Sequence, residues 1–303
     1  MTASNASGRF DARFRAFIEA VSGHRARLHR YCSRMTRSVL DGEDVMQDVL
    51  FEAYRKLELL KDDQPLAPWL FRIAHNRCID FIRKRTVRYA KEAAAAEPDI
   101  APATEFYGHG IGRALERLVI GLPPKERACV LLKDVFDYSL EEIAVLVDST
   151  AGGVKSALNR GRSKLAALSA QPIPQVEISP DILDLHALYA ERFNRRDWDG
   201  IRQLISADAR LRITDLYAGP ASEHYFTRFE AMAYPWRMAT GRFDGEPVLV
   251  LLGGLAAEMA PTVIVRLDSE GGSIHAIRHY TGCPWILADA ASLVITPDLA
   301  RAH

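Results

Sequence analysis

Asp41-Gly42-Glu43-Asp44-Val45-Met46-Gln47-Asp48-Val49 opens an amphipathic run that reaches Leu60. After a break at Asp62-Asp63-Gln64-Pro65-Leu66-Ala67-Pro68, a second run begins, Trp69-Leu70-Phe71-Arg72-Ile73-Ala74-His75-Asn76-Arg77-Cys78-Ile79-Asp80, and ends in Arg83-Lys84-Arg85. The first run is acidic at its start and the second basic at its end. This predicts one helix for a protein partner and one for nucleic acid. Asp41-Gly42 is expected to end the preceding helix, with Asp41 capping the next and Glu43 and Asp44 in its first turn, where the dipole favours carboxylates. Asp44, Gln47 and Asp48 fall at i, i+3 and i+4 and form one polar stripe. Ordinary acidity at a helix N-terminus fits the same pattern.

At about 100° per residue, the second run places Leu70, Phe71, Ala74, Cys78, Phe81 and Ile82 on one arc, the expected buried side. Arg72, Asn76, Asp80, Arg83 and Lys84 share the opposite arc, with Trp69 and Ile73 among them. Cations bind phosphates and aromatic rings stack on splayed bases, so this face suits single-stranded or melted DNA. A solvated face beside a Trp packed on a neighbouring helix has the same spacing.

Glu43-Asp44-Val45-Met46-Gln47-Asp48 followed by Trp69 to Asp80 resembles region 2 of the extracytoplasmic-function (ECF) sigma factors of the sigma-70 family. The resemblance implies that Asp44, Gln47 and Asp48 dock on the clamp helices of core RNA polymerase. It also implies that Trp69, Arg72, Asn76, Arg77, Asp80, Arg83 and Lys84 read and open the −10 promoter element. Leu66 stands where the family usually has Phe.

Upstream, Phe10 to Val39 reads as one or two helices, with Phe10, Phe14, Phe17, Ile18 and Val21 at helical spacing. Downstream, Ala93 to Ala96, Pro98, Pro102 and Gly108 mark a low-complexity linker. Such a linker lets two DNA-contacting domains sit at different points along a promoter.

A second helical domain follows. Leu122-Pro123-Pro124-Lys125-Glu126-Arg127 starts a helix. Ser139 and Glu142 form a capping box, Asp148-Ser149-Thr150 makes a tight turn, and a last helix runs from Ala151 to about Leu168. That helix is expected to bury Val154, Leu158, Gly161, Leu165 and Leu168. Lys155, Ser156, Asn159, Arg160, Arg162 and Lys164 point elsewhere. Cations for phosphates and short polar groups for base edges suit a helix in the major groove; a solvated basic helix fits as well.

This second domain is similar to ECF sigma region 4, which reads the −35 element. The sequence departs from the family pattern in three places. Asp148 replaces the usual turn Gly, Gly152-Gly153 loosens the first turn of the recognition helix, and Ala157 stands where a basic residue is common.

The 303 residues carry 39 Lys+Arg and 39 Asp+Glu. Residues 1–175 hold 27 cations and 22 anions, against 12 and 17 in residues 176–303. A neutral total thus combines a basic half that suits DNA with an acidic half that does not. Cys32, Cys78, Cys129 and Cys283 show no CxxC spacing, so no metal site is expected. No stretch is long and apolar enough to span a membrane, and no signal peptide is evident. A cytoplasmic protein without cofactor is expected.

After Gln171-Pro172-Ile173-Pro174, Asp181 to Arg195 reads as an amphipathic helix and Asp197 to Leu204 as a short second one. Strands are expected at Ala209–Thr214, Val248–Leu252, Thr262–Leu267 and Ser273–Tyr280, the last two joined as a hairpin by Glu270-Gly271-Gly272. Helices first and then an antiparallel sheet argue an α+β cone. That order, with Phe193-Asn194-Arg195-Arg196-Asp197-Trp198-Asp199, looks like a SnoaL-like domain of the nuclear-transport-factor superfamily. In sigma factors that carry one, the extension is thought to regulate the factor in cis. Some relatives of this cone are isomerases or cyclases with a pocket Asp and His. Asp215, Tyr217, Trp236, His275 and His279 are the pocket candidates here, and alternation puts both His residues on one strand face.

The expected architecture is a mainly α N-terminal half, with two helical sigma domains and a helix-turn-helix in the second, followed by an α+β SnoaL-like cone. The expected divisions are 9–88, linker 89–111, 112–170, linker 171–180, 181–290 and tail 291–303. The expected partners are core RNA polymerase, promoter DNA and an intramolecular contact of the C-terminal domain with the sigma domains or linker. The competing reading is a ligand-sensing or catalytic SnoaL-like protein fused to a DNA-binding half that has lost polymerase binding. Enzyme activity is not expected under the first reading.

Overall fold

The computed structural model describes residues 12–60, 65–95, 121–167, 178–221, 224–230, 232, 235–254, 259–290 and 292–296. It divides into two units. A helical unit lies within Ala16–Gln175 and includes Trp285–Ala290, and a sheet unit lies within Val176–Pro284 and Ala291–His303 and takes in the residues up to Arg15. Residues 285–290 thus leave the expected 181–290 division and belong to the helical unit. The expected linker at Gln171-Pro172-Ile173-Pro174, Phe10 and Leu168 lie outside the described residues.

The first helices are α1 (Ala12–Ala20), which enters the helical unit at Ala16, then α2 (Ser22–Thr36), α3 (Val39–Arg55) and α4 (Leu66–Ala95). Arg37, in the left-handed region at φ 72°, ends α2, and Ser38 starts α3 by accepting from the Asp41 amide at 3.2 Å. Asp41-Gly42 is therefore inside the helix and not a break, and Asp41 is not its cap. Asp41 instead accepts from Arg85 Nη1 at 3.2 Å. Gly42 is required by packing: a Cβ there would lie 2.5 Å from the Ser33 Cα, so α2 and α3 meet backbone to backbone.

Leu70, Phe71, Ala74 and Cys78 are buried as the 3.6-residue spacing predicts, with Phe71 edge-on to Tyr31 at 5.5 Å between ring centroids. Ile73, expected on the polar arc, is buried too, because α4 packs on both α2 and α3 and its apolar stripe is wider than one arc. Phe81 and Ile82 are only half-buried. The helix continues to Ala95, into the stretch expected as linker, where the alanines favour it.

The second half of this unit contains α5 (Pro124–Val130), a π-helical turn Leu131–Val135, α6 (Leu140–Leu146) and α7 (Ala151–Ala167). Pro124 sits at the first position of α5, where its missing N–H costs nothing. The capping box is formed: Ser139 N donates to Glu142 Oε2 at 2.7 Å, and Glu142 N donates to Ser139 Oγ at 3.2 Å. Asp148 takes the left-handed turn at φ 50° that a Gly would otherwise supply. Thr150 Oγ1 accepts from Gly153 N at 3.1 Å, which holds the glycine-containing first turn. Gly161 lets α7 close on α5: a Cβ there would lie 2.9 Å from Val130 Cγ2.

The two halves share one core. Phe71 meets Phe136 and Tyr138 edge-on, at 5.3 and 5.6 Å between ring centroids. Arg127 is 1% exposed; it donates to the Met35 carbonyl at the end of α2 and to the Leu122 carbonyl at 2.7 Å. Burial, with Arg37 also nearby, lowers its pKa to about 9.

The sheet unit has α8 (Pro180–Asn194), α9 (Trp198–Leu204) and α10 (His224–Glu230) with a seven-stranded sheet of order β2-β1-β6-β5-β4-β3-β7. The strands are β1 (Ile205–Ile213), β2 (Tyr217–Pro220), β3 (Trp236–Phe243), β4 (Glu246–Gly253), β5 (Ala260–Glu270), β6 (Ser273–Tyr280) and β7 (Leu293–Ile295). The expected α+β body is formed, but the sheet is mixed: β1 and β6 run parallel. Glu270 pairs with Ser273 across Gly271 and Gly272, at φ 58° and 78°, which is the expected tight hairpin.

The Phe193 to Asp199 stretch ties helices to sheet. Phe193 is fully buried among Phe229 and Trp236. Asn194 exchanges two 2.8 Å hydrogen bonds with the Met238 backbone on β3. Asp197 caps α9 through the Gly200 amide at 2.9 Å.

Between α10 and β7 the chain adds one more short helix, α11 (Pro284–Asp289). No helix among the described residues is long and apolar enough to cross a membrane.

Candidate nucleic-acid interface

On α4, Arg72, Asn76, Asp80, Arg83 and Lys84 are all exposed, and Trp69 is half-buried beside them. Positions 72, 76, 80 and 83 make one continuous stripe. Its inner side is fixed by packing. Tyr31 Oη and His75 Nδ1 are hydrogen-bonded at 2.9 Å, and burial lowers the His75 pKa to about 4, so the ring is neutral. Arg77 belongs to a different group. It is half-buried and pairs with Glu52 on α3. Burial raises the Glu52 pKa, but the hydrogen bonds from Lys56 and Arg77 outweigh it and leave the carboxyl below its usual range.

The α3 stripe divides as well. Asp48 is exposed and Asp44 half-buried, whereas Gln47 is buried and donates to Glu43 Oε1 at 2.7 Å. Gln47 is thus turned inward, away from the stripe on which spacing places it. Glu43, which sequence reasoning treats as first-turn acidity, is wholly buried and receives two donors.

On α7, Lys155, Ser156 and Asn159 are exposed in the N-terminal half of the helix. Arg160 and Lys164 both donate to the Glu126 carboxylate, at 2.9 and 2.7 Å, and Arg162 pairs with Asp134 at 2.5 Å. The Lys164 hydrogen bond, with that from Arg160, holds the Glu126 pKa below its usual range, and the Asp134 contact raises that of Arg162. Ala157 is fully buried, so the position where a cation was expected faces the core.

The pocket candidates of the sheet unit do not converge. His279 is buried, at 2% exposure, and burial lowers its pKa to about 3; Tyr225 and Phe229 meet it edge-on. His275 is exposed, near Asp208. The pairing of β6 with both β1 and β5 skips register between Ile274 and Ala276, and this bulge undoes the alternation expected to put both His residues on one face. Trp236 is a core residue whose Nε1 donates to the Phe229 carbonyl at 2.9 Å. Tyr217 donates to the Pro220 carbonyl at 2.8 Å, and Asp215 holds a left-handed turn at φ 56°.

The family model for Sigma-70 region 2 matches residues 20–88, and that for Sigma-70, region 4 matches residues 112–165. The ECF RNA polymerase sigma factor SigM of Mycobacterium tuberculosis is 30% identical over 154 residues, 50% of this chain and 76% of that protein. This chain belongs to the ECF RNA polymerase sigma factors. SigG of the same organism is 26% identical over 66% of this ECF factor, which spans about 61% of SigG's length. Among solved structures, the sigma factor RpoE in complex with the anti-sigma factor NepR from Bartonella quintana superposes with a TM-score of 0.42 at 22% identity. It covers 52% of this ECF factor and 99% of that chain.

Proposed function

We propose that this ECF factor binds core RNA polymerase and directs promoter-specific initiation. The carrying observation is the exposed Arg72–Asn76–Arg83–Lys84 stripe beside Trp69, held on α4 by the buried Leu70, Phe71, Ala74 and Cys78. In this reading, α4 engages and melts the −10 element. The first half of α7, with Lys155, Ser156 and Asn159, reads the −35 element in the major groove. Arg160, Arg162 and Lys164 hold α7 on α5 and the following turn, and meet phosphates only by exchanging their carboxylate partners. Asp44 and Asp48 on α3 contact the polymerase. The factor itself is a specificity subunit and performs no catalysis. The α+β C-terminal unit sets activity in cis.

Run-off transcription with purified core polymerase tests this reading on a library of promoters. A promoter-specific product that weakens on Asp44→Lys/Asp48→Lys substitution is the expected result. Absence of any specific product, from the full chain and from every truncation near Gln171, overturns it.

A second reading, ligand sensing by the sheet unit, is supported by His279, whose two ring nitrogens are buried without a hydrogen-bond partner. A group of that kind offers a neutral donor and acceptor to an enclosed polar molecule.

A further inference from the structure

Glu43 has no exposed side-chain surface, yet it lies on a helix whose next residue, Asp44, is only half-buried. An isolated carboxylate does not stay in such a place; it needs donors. Two N–H groups meet its two oxygens. Gln47 Nε2 donates to Oε1 at 2.7 Å, and Trp285 Nε1 donates to Oε2 at 2.7 Å. The first comes from the same helix, one turn on. The second comes from α11, 242 positions away in the chain.

Other groups complete the site. The Arg25 guanidinium lies 4.8 Å over the Trp285 ring, with Nη2 4.0 Å from Glu43 Oε1. His29, also fully buried, has Nε2 4.0 Å from Glu43 Oε2 and Nδ1 3.3 Å from Asp289 Oδ2. Trp285 and Asp289 are four residues apart on α11 and so share one face. Ile286 between them is 1% exposed.

We propose that the α2–α3 face around Arg25, His29 and Glu43 is a docking site for a short helix carrying an indole N–H and a carboxylate one turn later, and that α11 occupies it to restrain polymerase binding. The site recognises its occupant by chemistry. The indole supplies the second donor for Glu43 and the apolar lid over Arg25, and the acid answers the imidazole.

Docking has a consequence for α3. While Trp285 holds Glu43 in place, Glu43 holds Gln47 inward. Only Asp44 and Asp48 then remain of the three-residue stripe. Withdrawal of α11 removes the indole donor from Glu43 and uncovers it. Glu43 and Gln47 then turn outward and extend the polar stripe that meets the polymerase. Thr281–Cys283 connect α11 to β6 in sequence, so the occupant is tethered to the last long strand of the sheet unit. This inference rests on the polymerase-contact reading of α3.

The test uses the full-length chain and three variants. Trp285→Phe keeps the ring and removes the donor, Trp285→Ala removes both, and Asp289→Asn keeps the shape and removes the charge. Hydrogen–deuterium exchange over residues 285–290 reads docking directly, and titration of core polymerase reads its effect. Exchange should rise in all three variants, most in Trp285→Ala. Affinity for polymerase should rise about tenfold in Trp285→Ala, within the usual range of couplings between sites.

Unchanged exchange in both Trp285 variants overturns the docking site. Faster exchange with equal or weaker polymerase binding overturns the restraint. If neither wild type nor variants bind polymerase, the reading of α3 fails and takes the restraint with it, while the exchange result still decides the docking site on its own.

Discussion

The two helices proposed to read DNA carry similar side chains and hold them in opposite ways. On α4, Arg72, Arg83 and Lys84 are exposed, and the closest acid contact recorded for Arg83 is a 4.0 Å approach to its own neighbour Asp80. On α7, three of the four cations are in ion pairs with Glu126 and Asp134. The outer stripe of α4 presents its charge, while Arg77 and Arg85 on the same helix are paired with Glu52 and Asp41; α7 spends most of its charge on staying attached to α5 and the turn that follows. A basic helix is therefore not a DNA surface by composition alone. What decides is whether a carboxylate on a neighbouring element lies within reach.

The comparison can be broken most directly on α4. The double variant Arg72→Ala/Lys84→Ala should lower run-off transcription by about tenfold to a hundredfold. It should also reduce the slope of DNA affinity against salt by about two, one for each lost phosphate contact. The melting temperature should stay where it is, since exposed substitutions change stability by only about 0.5 kcal/mol. A matching loss of stability would return the stripe to a structural role.

Acid should loosen the inner sides of the two helices in different windows. His75, beneath α4, is held near pKa 4, whereas an unfolded chain protonates it near 6.5. The unfolded state therefore binds the extra proton between those values. Stability should fall as pH drops from about 6.5 towards 4, by about 2–3 kcal/mol in all. His75→Gln should flatten that part of the profile in urea titrations. Glu126, beneath α7, has a lowered pKa, so its contribution is complete above 4.5 and fades only as pH falls below that through its folded value.

Within α7 the effect should depend on which half is touched. Lys155→Ala or Asn159→Ala should weaken −35 binding by about 1–3 kcal/mol, the usual worth of a base or phosphate contact. Arg162→Ala should weaken it by less than about 0.5 kcal/mol. Equal losses at Lys155 and Arg162 would erase the division of the helix.

The smallest expected effect is also the sharpest in sign. Glu126→Gln should cost at most about 1 kcal/mol of stability, since both its cationic partners are about half-exposed and screened. It should raise DNA affinity severalfold by releasing Arg160 and Lys164, as read by a salt titration with a steeper slope.

Local chemistry on single helices was legible in the residue order. The Leu70–Cys78 part of the apolar arc of α4, the Ser139–Glu142 box and the Gly271-Gly272 hairpin all follow from periodicity or turn requirements, and these are formed. What was not legible depends on partners far away in the chain. Asp41-Gly42 has the composition of a break, but Ser33 on α2 explains the glycine and Arg85 on α4 explains the acid. Gln47 reads as surface until Glu43 and Trp285 are placed beside it. Alternation along β6 fails at His275 because a bulge is set by pairing with β1 and β5, not by β6 itself. Strands β2, β3 and β7 escaped notice because β3 contains Gly241 and the other two are short, Tyr217–Pro220 and Leu293–Ile295. One signal for Glu43 was available: it precedes Gln47 by four residues, which puts the two side chains side by side on a helix.

Arg127 gives the helical unit a kinetic character. Its guanidinium closes the α2 carbonyl end at Met35 and the Leu122 carbonyl in one stroke. Any spreading of the two halves proposed to read promoter DNA must first strip a cation from these oxygens and wet it. Such a step resists slow drift and favours a sudden release once a partner offers replacement hydrogen bonds. Assembly with a large enzyme should then show a lag set by this hinge bolt, independent of the partner's concentration at saturation.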